Sequence, residues 1–290
     1  MIDFFTDPLA YEFFRNGLYA AALCGALCGM MGVYIVLRRM SYIGHGLSHS
    51  VFGGAVVSYI IGINFFLGAG AWGFFSALLI NATARRRKIG ADAAIGIITT
   101  ASFALGVALI SRQRSFTRDF EAALFGNILG VDRQDLQVIT GVTVVVALAL
   151  FFGYKQLLFV TFDSDLAQVY GVRSGWIDAA FSLALAATIV ASLNIVGATL
   201  IAASIVMPPA TARLLTDSFG KMVILSTLIG MLGGILGMFA SFEWDIASGA
   251  SIVLILTATF AVTLLFATLR GRLQGRAPEA GLTGEGDHAH

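Results

Sequence analysis

Residues 40–84 read MSYIGHGLSHSVFGGAVVSYIIGINFFLGAGAWGFFSALLINATA, a run of 45 residues without Asp, Glu, Lys or Arg. A helix needs about 20 apolar residues to cross the hydrocarbon core of a bilayer. The run is therefore long enough for two crossings joined at Gly62-Ile63-Asn64. The rest of the chain has the same character. It is 58% hydrophobic and 12% charged, with a mean hydropathy of +0.86, where a soluble domain carries about a quarter charged residues. The expected fold is an all-α, polytopic transmembrane helical bundle. A net charge of +1 gives no electrostatic case for nucleic acid as a partner. The basic residues read instead as topology signals, and membrane lipid is the surrounding medium.

Further charge-free stretches supply the other spans: Gly17 to Leu37, Ala93 to Ser111, Leu136 to Tyr154, Ala179 to Ala212, Met222 to Ser241 and Ile246 to Leu269. The stretch from Ala179 is 34 residues long, with a plausible turn at Asn194 to Gly197 and a proline pair, Pro208-Pro209, near its end. One crossing there gives eight spans and two give nine. With two, 13 of the 18 basic residues fall on one side, including Arg38, Arg39, Arg85 to Lys88 and Arg270. The positive-inside rule then sets the N-terminus outside and the C-terminus in the cytoplasm, and the prolines predict a short or broken segment. Residues 1–272 read as one transmembrane domain. The stretch 273–290, Gly-rich and polar with His288 and His290, reads as a disordered tail. The acidic, aromatic beginning, MIDFFTDPLAYEFF, does not resemble a secretory signal, so the first apolar run is expected to stay as a span.

Glycines recur inside the spans, as at Gly25, Gly29 and Gly32 and at Gly230, Gly233, Gly234 and Gly237. Small residues at this spacing let helices approach closely. Cys24 and Cys28 share a helix face and read as a small apolar contact or, alternatively, a soft-metal pair. Two connections carry content. FEAALFGNILG, residues 120–130, has apolar residues at helical spacing and predicts a short amphipathic helix at the membrane surface. KQLLFVTFDSDLAQVYGVRSGW, residues 155–176, predicts a cytoplasmic loop with a short helix from Asp165 to Tyr170, capped at Asp163-Ser164 and ended by Gly171. Such a helix is a natural socket for a partner or simply a structured loop.

His45 and His49 are the only histidines outside the last three residues. His49 lies ten residues beyond Arg39, roughly 15 Å into the membrane and close to the midplane. Ionisable groups at that depth are costly and mark pathways. Two imidazoles at i and i+4 can hold one divalent transition-metal ion, pass a proton, or hydrogen-bond structurally. Gly44, Gly46, Ser48, Ser50, Gly53 and Gly54 around them leave room for an ion or for another helix.

RRMSYIGHGLSH, residues 38–49, resembles the signature of the permeases of metal-ion ABC importers, which typically read RRMSLIGDALSH. GADAAIGIITTASFALGVAL, FDSDLAQVYGV and VGATLIAASIVMPPATARLLT resemble further stretches of that family, in the same order along most of the chain. The resemblance implies a homodimer with cytoplasmic ABC ATPase subunits and an extracytoplasmic metal-binding protein in the bacterial cytoplasmic (inner) membrane. It implies that His49 coordinates Mn2+, Zn2+ or Fe2+ in transit as substrate, with no permanently bound cofactor. His45 stands at the family's Asp position, so the role transfers while the ligand type changes. The resemblance also assigns the ATPase contact to residues 162–172, with Phe162, Asp163, Leu166, Ala167 and Gly171 as its coupling residues. No G-x-x-x-x-G-K-[ST] motif is present, so the chain is read as a transport subunit and not an enzyme. A stand-alone secondary transporter, using the pair as a proton relay, is the competing reading.

Overall fold

The computed structural model describes residues 7–84, 90–112, 126 and 128–273, and its regular elements there are all helical. In chain order the helices are α1 (Glu12–Leu37), α2 (Tyr42–Ile61), α3 (Phe65–Ala84), α4 (Ala91–Ser111), α5 (Arg133–Phe152), α6 (Tyr154–Phe162), α7 (Ser164–Val169), α8 (Ser174–Val196), α9 (Ile201–Leu215), α10 (Phe219–Trp244) and α11 (Ser248–Leu273). A single 3-10 turn, Ile128–Gly130, precedes α5.

Seven of these, α1, α3, α4, α5, α8, α10 and α11, are long and apolar enough to cross a bilayer. The expectation was eight to nine, and the helices that fall short are α2 and α9. The first is 20 residues long, but His45, Ser48, His49 and Ser50 dilute its hydropathy. The second has 15 residues and holds Pro208 and Pro209, so it reaches about 22 Å where the core needs about 30 Å. Both bury much of their surface against protein, including Leu47 and Val51 on α2 and Ile201 and Ile205 on α9. A helix sheathed by other helices need not be as apolar as one that faces lipid.

Helix α1 is the central post: 67% of its apolar window is buried, against 11% for α11. It packs most extensively on α10, antiparallel. A Cβ on Gly25 would run into the Gly230 carbonyl and one on Gly230 into the Gly25 carbonyl, while Gly29 meets Ser226 and Gly234 meets Ala21. The Ser226 hydroxyl donates to the Gly29 carbonyl at 2.6 Å. The glycines thus serve close helix approach, as their spacing predicts. Around this axis Leu27, Met31, Phe52, Ile95, Ile139, Leu185 and Ile189 form one continuous apolar core. Cys24 and Cys28 are free and buried, and Cys28 Sγ lies 3.8 Å from Ser192 Oγ on α8. They act as a helix contact, with no third metal-ligating side chain gathered beside them among the described residues.

Contacts define the two ends of the bundle. Tyr34 meets Phe219 edge-on at 5.4 Å, Tyr154 lies tilted against Phe219 at 5.5 Å, and Arg38 pairs with Asp178 at 2.8 Å. The C-terminal end of α1 and the N-terminal ends of α6, α8 and α10 therefore lie together. Phe14 meets Phe239 and Phe242 at the other end.

Turn chemistry explains the boundaries. Gly62, at φ +78°, ends α2, and the Asn64 side chain accepts from the Phe66 N–H at 2.9 Å to start α3, as the sequence predicts. The turn expected over Asn194 to Gly197 begins at its last residue. Helix α8 runs on to Val196, and Gly197, at φ +86°, breaks it. The expected loop after Tyr154 is helical over α6, bent away from α5 at Gly153. Of the stretch expected as an amphipathic helix, residues 120–125 and 127 lie outside the described residues, as do the tail residues 274–290.

Candidate functional site

The histidine helix begins at a tight corner. The Arg39 N–H bonds to the Val36 carbonyl at 3.1 Å and the Met40 N–H to the Ile35 carbonyl at 3.0 Å. Together with φ +55° at Arg39, this is a Schellman cap, a motif that normally places glycine in the left-handed position. An arginine there costs about 1 kcal/mol. Immediately beyond the corner α2 starts, and its first turns carry the pair.

His45 Nε2 and His49 Nε2 lie 3.2 Å apart, with ring planes at 89°. Both rings are half-buried. At this distance one imidazole can donate a hydrogen bond to the other. The same spacing suits a shared ion: two nitrogens each about 2.0 Å from a tetrahedral metal are about 3.3 Å apart. Phe103 of α4 packs edge-on against His49 at 4.8 Å, and Tyr42 lies 5.8 Å from His45. His49 Nδ1 is buried without a hydrogen-bond partner among the described residues. A ligating imidazole usually donates its second N–H to a fixed acceptor, which strengthens it as a ligand. The bare Nδ1 leaves His49 without that support. No group of three or more His, Cys, Asp or Glu side chains gathers here among the described residues.

The surrounding small residues do not open a chamber. Gly44 faces Ile205, Gly46 faces Ile95 and Thr99, Gly53 meets the Ser102 backbone and Gly54 meets Trp72. Of the two roles the spacing allows, Gly46, Gly53 and Gly54 take that of close helix contact, whereas a Cβ on Gly44 would sit at ordinary contact distance from Ile205. The Ser48 hydroxyl bonds to the Ala198 carbonyl at 2.8 Å, fastening α2 to the α8–α9 turn, and Ser50 Oγ donates to Ser76 Oγ at 2.6 Å. Neither Phe103 nor this serine fastening carries a signal in sequence spacing.

The second predicted site forms as a unit on α7. The Asp163 carboxylate caps it, accepting from the Leu166 N–H at 2.8 Å. Gly171, at φ +81°, closes it through bonds from its own N–H to Gln168 and from Val172 N–H to Ala167. The helix therefore starts one residue earlier and ends one residue earlier than expected. Ala167 is fully buried, whereas Phe162, Asp163, Leu166 and Gly171 are exposed. Phe162 and Leu166, with Val169 and Tyr170, 81% and 73% exposed, make an exposed apolar patch.

The sequence matches the ABC 3 transport family over residues 10–267. The chain belongs to the ABC 3 transport family. It is 40% identical to the manganese transport system membrane protein MntC of Halalkalibacterium halodurans over 270 residues, 93% of this chain and 92% of that one. To the manganese import system permease protein ScaB of Streptococcus gordonii it is 37% identical, over 89% of this chain and 92% of the relative. Among solved structures, PsaBC from Streptococcus pneumoniae in complex with Fab superposes with a TM-score of 0.84 at 33% identity, covering 94% of this chain and all of that one. As a member of the ABC 3 family the chain is a multi-pass protein of the bacterial inner membrane, and the resemblance carried by residues 38–49 holds along its length.

Proposed function

We propose that this chain is the transmembrane permease subunit of an ATP-driven importer of divalent transition-metal ions, manganese foremost, with zinc and ferrous iron as lesser cargo. The observation that carries the reading is the convergence of His45 Nε2 and His49 Nε2 to 3.2 Å on an interior helix. The relatives named for manganese transport support the cargo. His45 and His49 hold the ion in transit. An imidazole at position 45, in place of a carboxylate, is softer and shifts the site toward zinc. The working unit is a homodimer, with ATPase subunits against α7 and an extracytoplasmic protein that delivers the metal. Helices α2 and α9 complete nine crossings, with the N-terminus outside and the C-terminus in the cytoplasm. The shared end of α1, α8 and α10 supports that count, because the chain leaves Asp178 and returns by Phe219.

The test is metal uptake in cells lacking their own importers, expressing the chain with its ATPase and binding protein. Leu166→Glu places a charge on the exposed α7 face. Loss of both uptake and ATPase co-purification, with the permease still in the membrane, is the expected result. Normal uptake in that variant overturns the assignment of α7. The 3.2 Å histidine contact also favours a second reading, a proton relay in a stand-alone transporter. Uptake that survives without the ATPase and collapses with a protonophore selects it.

A further inference from the structure

We propose that Arg38 is a positioning residue that ties movement of the α6–α7 segment to the histidine helix α2. The proposal rests on the reading of α7 as the ATPase contact. Three elements meet at this one guanidinium. Nη1 donates to Asp178 Oδ1 on the second turn of α8 at 2.8 Å. Nε donates to Thr161 Oγ1 on the last turn of α6 at 3.0 Å, two residues before the Asp163 cap of α7. The guanidinium carbon stands 4.6 Å over the Phe181 ring. Arg38 itself is the last residue before the left-handed corner that turns α1 into α2.

The arrangement differs from a surface ion pair. The Arg38 and Asp178 side chains are 10% and 22% exposed, and such pairs are screened little by water. Arg38 Nη2 is buried with no acceptor among the described residues. A guanidinium with a spare buried donor can change acceptors when α6 shifts, where a saturated one would be a fixed bolt. The corner beside it is held in a strained conformation, the kind of element that can relax on rearrangement. Seven residues from Arg38, His45 follows the corner on the first turns of α2. A push on α7 therefore reaches Thr161, then Arg38, then the start of α2, through direct contacts and without passing through lipid.

The test uses the intact permease with its ATPase and binding protein in proteoliposomes, and reads metal ions imported per ATP hydrolysed. A merely structural role lowers the amount of assembled complex but leaves this ratio alone. In Arg38→Gln, ATP hydrolysis is expected within about twofold of wild type while the ratio falls at least about tenfold. The charge swap Arg38→Asp with Asp178→Arg recovers part of it. Thr161→Val, which removes one acceptor and keeps the shape, lowers the ratio about threefold and serves if Arg38→Gln does not assemble. Arg213→Gln, which breaks the exposed pair with Asp217, leaves it unchanged. A wild-type ratio in both Arg38→Gln and Thr161→Val overturns the proposal and leaves the permease reading standing. Absence of ATP-driven uptake in wild type overturns the permease reading, and this inference with it.

Discussion

Gly25→Ala is the sharpest test of how the bundle holds together. A methyl at Gly25 points into the Gly230 carbonyl across the α1–α10 contact, so the helices must part by about 1 Å to restore van der Waals separation. The Ser226–Gly29 hydrogen bond, 2.6 Å long, then stretches to about 3.6 Å and is lost. That loss costs about 1 kcal/mol, and forcing a methyl into close packing about 1–3 kcal/mol. The sum is about 2–4 kcal/mol, which lowers the unfolding midpoint by on the order of 5–10 °C. The assay is the midpoint in detergent, followed by tryptophan fluorescence or by recovery on size exclusion after heating. The double variant Gly25→Ala/Gly230→Ala must cost less than the sum of the singles, since one separation accommodates both methyls. Gly141→Ala, at a glycine with nothing near its Cβ position, is the control and is neutral or slightly stabilising. Gly25→Ala as stable as Gly141→Ala, or an additive double variant, refutes the packing argument.

Arg39→Gly should be more stable than Arg39→Ala by about 1 kcal/mol, the reverse of the order inside a helix, because only glycine relieves the left-handed φ; midpoints of the two variants check the sign. His45→Asp should shift uptake toward manganese over zinc, since a carboxylate is the harder ligand, and competition between the two ions in whole cells measures the ratio.

Much of this fold is legible because lipid imposes one rule on every span: a long apolar run. That rule locates α1, α3, α4, α5, α8, α10 and α11 directly. It also places α2 within the charge-free run 40–84 and leaves α9 open between one crossing and two; both fall short of a full apolar span because a helix wrapped by protein is released from the rule, and these helices carry the histidines and the proline pair. Helix α6 escapes notice for another reason. The span reads as ending at Tyr154, whereas Leu157 and Val160 beyond it turn inward and bury, so the chain stays helical past the break at Gly153. Of the turn expected over Asn194 to Gly197 only the last residue breaks the helix, because that is where φ turns positive. At the site, i,i+4 spacing is enough to bring the two imidazoles together. The Asp163 cap and the Gly171 stop are local and equally readable. Arg38 with Asp178, Ser48 with Ala198 and Phe103 on His49 join residues far apart in sequence, and only the packing of helices brings them into contact.

The central claim is that the pair carries the ion, and the most direct measurement is manganese uptake by His49→Ala. The cells lack their own importers and express the chain with its ATPase and binding protein. The account predicts that uptake falls to the level seen without the ATPase, while the variant permease remains in the membrane and still co-purifies with its partners. Uptake at the wild-type rate in His49→Ala would contradict it, leaving the pair a structural contact and the ion's path elsewhere in the bundle.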